Sequence, residues 1–329
     1  MTTSTEQPER LGTTRSSSGV RIGDRVFLNL SRGAGVLLLL IMAAIGAFLL
    51  DKALPALRAD TANFFTTRDW LPDAAPPVFG IAALVWGTVL SSIIALALAL
   101  PVGVGIALFI SHYAPRRLAT ALGYVVDLLA AVPSVIYGLW GALWLVPHLL
   151  PLHHWLNDQF GWIPLFGGTV TGAHTLFTAG VILAIMILPI ISAVSREVFL
   201  QVPRAHEEAA LALGATRWEM IRTAVFPFGR PGVISAAMLG LGRALGETMA
   251  VAMVLSVGFG ISLDILVQNG VTFASNIALK YAEAQSTGKA VGLGALIASG
   301  LVLFVITLVV NMGARMIIAR RKEFSGADA

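Results

Sequence analysis

Residues 206–227 read HEEAALALGATRWEMIRTAVFP and lie between two long apolar stretches. His206 to Leu213 is built from Ala, Leu and Glu, which favour helix. Gly214 then supplies a residue that can take the left-handed conformation and stop the helix. From Trp218 to Phe226 the helical period resumes, with Trp218, Ile221 and Val225 on one face. The stretch therefore predicts a helix–glycine–helix hairpin, polar enough for water yet continuous at both ends with apolar chain.

The rest of the sequence says what that chain is. Of its 329 residues 57% are hydrophobic and 12% charged, with a mean hydropathy of +0.82, against about 25% charged residues in soluble domains. Six stretches are long enough to cross a hydrocarbon layer about 30 Å thick at about 1.5 Å per residue. They run 33–50, 80–110, 119–146, 174–195, 232–258 and 291–318. With no water to satisfy the backbone in lipid, each must be helical, so the expected class is an all-α integral membrane protein with six transmembrane helices. The implied divisions are a polar, Ser/Thr-rich tail over 1–32 without fixed structure, a first helix and outside loop over 33–79, a five-helix core over 80–318 containing the loop 196–230, and a tail over 319–329. A leader of 32 residues before the first apolar run is too long for a cleaved signal, so that run reads as an anchor.

Basic residues orient the bundle, because cytoplasmic loops concentrate Lys and Arg. Placing both termini inside puts most of the 22 basic residues there, including Arg196, Arg204, Arg217, Arg222 and Arg230, against Lys52, Arg58, Arg68, Lys280 and Lys289 outside. The net charge of +4 thus faces an anionic leaflet. No basic stripe with interleaved aromatics speaks for nucleic acid. Pro55, Pro72, Pro76 and Pro77 mark the outside loop 51–79 as extended, the short turn 111–117 makes the second and third spans antiparallel neighbours, 147–173 reads as an interfacial loop with re-entrant character, and a short helix is expected around 274–284. Pro101, Pro133 and Pro189 should kink their spans. Ala236 and Gly240, and Gly242 and Gly246, are pairs four apart that let helices approach closely.

Three ionisable residues fall inside predicted spans: Asp127, Arg243 and Glu247. Each costs about 2.5–3.5 kcal/mol on insertion scales, so each should face the bundle interior or water. Arg243 and Glu247 are four apart on what reads as one helix face, and Asp127 falls at comparable depth, within reach of Arg243. Arg243 then offers a positive point on the path of an anion, with Glu247 or Asp127 holding it when the path is empty. The same residues also fit a permanent salt bridge that fixes helix register.

Two sets of words carry a family resemblance. Glu208-Ala209-Ala210, three residues, Gly214, nine residues and Ala224-Val225-Phe226-Pro227 resemble the cytoplasmic loop of ABC importer membrane subunits, which reads E-A-A, three residues, G, nine residues, I-x-L-P. Ala224 and Phe226 stand where the family usually has Ile and Leu. Gly240-Leu241-Gly242-Arg243-Ala244-Leu245-Gly246-Glu247-Thr248-Met249-Ala250, with the stretch AAVPSVIYGLWG over 130–141, is similar to the PstC-type permeases of the phosphate-specific ABC importer. That resemblance, from about Ser31 to the end, implies a type I importer fold of six helices in the bacterial inner membrane. Its implied partners are a second, PstA-type permease, two cytoplasmic PstB-type ATPases and an external PstS-type phosphate-binding protein. In the family the hairpin seats on the ATPase, which maps contact onto Glu208 and Gly214, and Arg243 and Glu247 match its functional pair.

The residues themselves leave open another oxyanion such as sulfate or molybdate, and an ion-coupled anion carrier with Glu247 and Asp127 as proton sites. No internal repeat of the kind such carriers often show is evident. The only Gly-Lys pair, Gly288-Lys289, is followed by Ala290, and Glu283 stands where a phosphate-binding loop needs its first glycine. ATP hydrolysis must therefore come from a partner. His148, His153 and His154 have only Asp158 beside them, a poor ligand set. No metal, cofactor or catalytic residue is expected, and with no cysteine there is no disulfide or thiol chemistry.

Overall fold

The computed structural model describes the backbone over residues 22–324 and the side chains over 23–316. By compactness the chain divides into two units, 1–48 and 49–329. The first is seen as the start of helix α1 (Ile22–Ala59), whose apolar side chains Leu37 to Ile41 are all more than half exposed. The helix starts inside the stretch read as a tail and ends beyond Pro55, inside the segment read as an extended loop. Residues 1–21 and 325–329 lie outside the described residues.

Six described helices are long and apolar enough to span a membrane: Gly23–Ala59, Ala82–Tyr113, Ser134–Phe160, Leu176–Leu200, Arg217–Leu245 and Ala290–Met316. The centre of the second unit is α2 (Ala82–Leu108) against α6 (Leu176–Leu200), with α9 (Phe226–Leu245) against α6. Ile191 of α6 is fully buried, and a Cβ on Gly103 of α2 or Gly240 of α9 would lie only 3.0 or 3.1 Å from it. Lipid is as apolar as isoleucine, so what holds such a joint is close packing made possible by small residues, as expected for Ala236 and Gly240. Gly242 faces α12 (Ala290–Phe324) instead, where a Cβ would be 3.7 Å from Asn311 Oδ1.

Two predicted spans are corrected. The run 119–146 is not one helix: α3 (Arg116–Ala130) ends before Pro133, and α4 (Ser134–Trp140) starts after it. Proline disfavours helical backbone in Val132 and has no N–H for the preceding turn, so it breaks this helix outright. The third span continues from α4 through a π turn at Gly141–Leu145 into α5 (Val146–Phe160). Chain read as an interfacial loop over 147–160 is thus helical. His153 there is buried, its Nδ1 bonded to Leu149 O at 2.8 Å and its Nε2 near Thr175 and Thr178.

The run 232–258 is likewise discontinuous. Helix α9 stops at Leu245, residues 246–248 are non-helical, and a short helix α10 (Met249–Val254) follows. Beyond it, α11 (Phe273–Ser286) matches the short helix expected near 274–284 and opens on a Thr272–Ser275 capping box. It packs on α12, next to a two-stranded antiparallel hairpin, β1 (Trp70–Leu71) and β2 (Val78–Phe79), whose Trp70 and Phe79 share a buried cluster with Phe273 and Leu296.

Candidate functional site

The hairpin read from 206–227 forms. Its first arm is α7 (Arg204–Ala212), its second α8 (Arg217–Met220), and between them Gly214 has φ +85°. The Gly214 N–H donates to Leu211 O at 3.0 Å and the Ala215 N–H to Ala210 O at 3.2 Å. This pair of bonds closes a helix end only when the residue between them is left-handed, which makes glycine the fitting residue. Thr216 starts the second arm: its Oγ1 accepts the Glu219 N–H, and Glu219 Oε2 accepts the Thr216 N–H at 2.8 Å. That T-x-x-E box was legible in the sequence and was overlooked.

The outer surface of the hairpin is exposed and its base is anchored. Glu208, Ala209 and Gly214 are exposed, Leu213 is 90% exposed and Trp218 60%. Trp218 therefore does not share the burial of Ile221 and Val225, although the period put all three on one face. Ala210 packs against a buried cluster of Met220, Ile221, Val225 and Phe199. Glu207 Oε1 lies 3.4 Å from His112 Nε2, tying the first arm to the π turn Phe109–Tyr113 that ends α2. A third π turn, Ile221–Val225, joins α8 to α9, and Pro227, which has no N–H, sits exposed in the first turn beyond it. The second arm is thus physically continuous with the helix that carries Arg243.

Arg243 is half-buried near the end of α9, and no ion pair among the described residues engages it. Tyr137 of α4 donates its hydroxyl to Leu129 O at 2.9 Å. Helix α4 packs on α10 at Gly138, where a Cβ would lie 2.8 Å from Ala250 Cα. Glu247 is in the break, 9% exposed, its Oε1 accepting the Ala250 N–H at 3.2 Å. It satisfies an amide left open by the new helix start and shares no continuous helix face with Arg243. Asp127, expected near Arg243, has Oδ2 3.7 Å from Arg196 Nη2. Arg196, counted among loop cations, belongs to α6, and both side chains line a groove of about 510 Å³ with Arg116, Tyr124 and Glu197.

Close to the unwound turn, Arg243 thus carries a charge that no ion pair among the described residues neutralises. Broken helices inside a membrane bundle commonly mark ion or substrate sites, because irregular backbone is tolerated only within protein or against water. Sequence reasoning did not pick out Tyr137 or Arg196 as site residues. The only local signal for Tyr137 was a hydroxyl in an apolar run just after Pro133.

Comparison with known proteins adds the family. Residues 99–323 match the model described as "Binding-protein-dependent transport system inner membrane component". The chain is similar to "Phosphate transport system permease protein PstC 2" of Mycobacterium tuberculosis, 48% identical over 301 residues, covering 90% of this chain and 92% of the relative. It is 50% identical over 274 residues to "Phosphate transport system permease protein PstC" of Mycobacterium leprae, covering 82% and 85%. In fold it is similar to a bacterial ABC transporter involved in the import of the acidic polysaccharide alginate, with a TM-score of 0.52 at 17% identity, covering 72% of this chain and 78% of that one.

Proposed function

We infer the mechanism from one premise: the chain belongs to the PstC phosphate transport permeases, within the binding-protein-dependent transport system inner membrane components. It is the multi-pass inner-membrane subunit of a phosphate ABC importer, and such a subunit works with an ATPase and further subunits. In the arrangement we propose, these are a PstA-type permease, two PstB-type ATPases and a PstS-type binding protein, with both termini of this chain cytoplasmic. ATP hydrolysis belongs to the ATPases. ATP binding draws the hairpins together and opens the path outward, and hydrolysis returns it inward.

The observation that carries this reading is mechanical. The exposed hairpin turns at Gly214 from the arm with Glu208, Ala209 and Ala210 into a second arm that runs from Arg217 through Pro227 into α9 without interruption, and α9 carries Arg243 two residues before its end at the break over 246–248. A displacement at the hairpin therefore reaches the charged turn along one helix. Arg243 is proposed as the contact for phosphate, whose oxygens match a guanidinium fork. Glu247 holds the start of α10 and sets the geometry of the break. Asp127 is assigned with Arg196 to the cytoplasmic leg of the path, away from Arg243.

The chain has no cysteine, which makes the test clean. Glu208→Cys in the assembled complex should crosslink to the ATPase subunit through a short bifunctional reagent, and the yield should change between nucleotide-free and ATP-bound states. No crosslink in either state, with the complex intact, contradicts the assignment of the hairpin.

A further inference from the structure

A large apolar groove opens where the base of the hairpin meets α2. It has a volume of about 750 Å³ and lies between the last turns of α2 and the helix that leaves the hairpin. Val104, Leu108 and Phe109 form one wall, and Ile221 and Phe226 the other. The wall at Gly105 faces open space: a Cβ there would meet nothing within 4 Å. One end alone is polar, where Tyr113, Trp218 and Arg222 line it.

We propose that this groove binds an anionic phospholipid, with an acyl chain between α2 and α9 and the headgroup phosphate on Arg222. Along α2 and the π turn that ends it the groove extends from Pro101 to Tyr113, about 18 Å at about 1.5 Å per residue, enough to cover one leaflet, about 15 Å, of a hydrocarbon core about 30 Å thick. Its polar end coincides with the end of the span Ala82–Tyr113 and the start of the span Arg217–Leu245. Tyr and Trp prefer that interface. Arg222 is exposed and has no acidic partner among the described residues, so the groove offers an apolar slot closed by one unneutralised cation. A basic site between membrane helices on the cytoplasmic side is suited to an anionic headgroup. The cytoplasmic placement rests on the orientation proposed above, whereas binding itself requires only that the chain lie in a bilayer.

Both walls of the site include a π turn, Phe109–Tyr113 and Ile221–Val225, and His112 of the first touches Glu207 of the hairpin. A lipid in the slot therefore braces the base of the hairpin against α2. The test uses the whole complex, delipidated in detergent and returned to nanodiscs of phosphatidylcholine with graded phosphatidylglycerol. Retained lipid is measured by native mass spectrometry, and binding-protein-stimulated ATPase is followed in parallel. The native complex should retain phosphatidylglycerol over phosphatidylcholine. Arg222→Gln should lower that preference about five-fold, the equivalent of roughly 1 kcal/mol per basic residue near an anionic surface, and Arg222→Lys should restore it. Gly105→Trp should abolish retention, while Gly105→Ala, whose methyl meets nothing, should retain lipid and serve as the folding control. Equal retention by the native complex, Arg222→Gln and Gly105→Trp overturns the proposal. So does a photoprobe on Gly105→Cys that labels the second permease or the ATPase in place of lipid. Because retention is read without transport, a failed importer mechanism and a failed lipid site give different results.

Discussion

Replacing Gly214 isolates one physical quantity. Its φ of +85° is left-handed, and a Cβ added there would meet nothing within 4 Å. A substitution therefore adds backbone strain and no clash. For an ordinary L-residue the left-handed conformation costs about 1–2 kcal/mol, which lowers the population of the correctly closed hairpin about 5–30-fold against a relaxed alternative. If coupling requires the closed hairpin, the initial rate of phosphate uptake should fall by up to that factor in Gly214→Ala. It should fall less in Gly214→Asn, since asparagine tolerates this region, and more in Gly214→Val, since a branched Cβ does not. The amount of assembled complex should stay constant, because the position is exposed. The assay is radiolabelled phosphate uptake in cells, normalised to complex recovered from the membrane, with binding-protein-stimulated ATPase measured on the same preparations. Native rates in Gly214→Val, or an order of rates unrelated to left-handed tolerance, would refute the reasoning.

Other outcomes follow from single contacts. Thr216→Ala removes the acceptor for the Glu219 N–H and should speed hydrogen exchange at that amide about five-fold, as loss of an N-cap commonly does. Gly87→Ala puts a methyl against the Val271 carbonyl oxygen, a backbone atom that cannot turn aside. It should lower the melting temperature of the purified complex, whereas Gly33→Ala, with nothing within 4 Å, should leave it unchanged. Glu247→Ala removes the acceptor for the Ala250 N–H and should impair uptake by loosening the turn at 246–248, with Glu247→Gln, which keeps an acceptor oxygen, closer to native.

How much of this was legible follows from which signals are local. The hairpin was readable because helix formers, one glycine and an intact spacing all act within a few residues, and the structure needs a left-handed residue at Gly214. The number of spans was readable from hydropathy, since lipid thickness sets their length. The break at Gly246–Thr248 was not, because it falls within an apolar run and hydropathy averages over it; Pro133 was legible as a kink, and the structure makes it a full break. That loss carried Asp127 and Glu247 with it: their expected meeting with Arg243 assumed unbroken helices. The Arg196 contact joins α3 to α6 across a long loop of sequence, and no periodicity reports a contact of that kind. Tyr137 was hidden for the same reason: its helix meets α10 through the close approach of Gly138 to Ala250, far apart in the sequence.

The most direct measurement of the central claim is phosphate uptake by proteoliposomes holding the complete importer, with ATP and the phosphate-binding protein each supplied or withheld. The native complex should accumulate phosphate only when both are present, with excess sulfate failing to compete. Arg243→Gln should abolish accumulation while the complex still assembles and still hydrolyses ATP. Undiminished accumulation by Arg243→Gln, or accumulation driven by a pH gradient without ATP, would contradict the account.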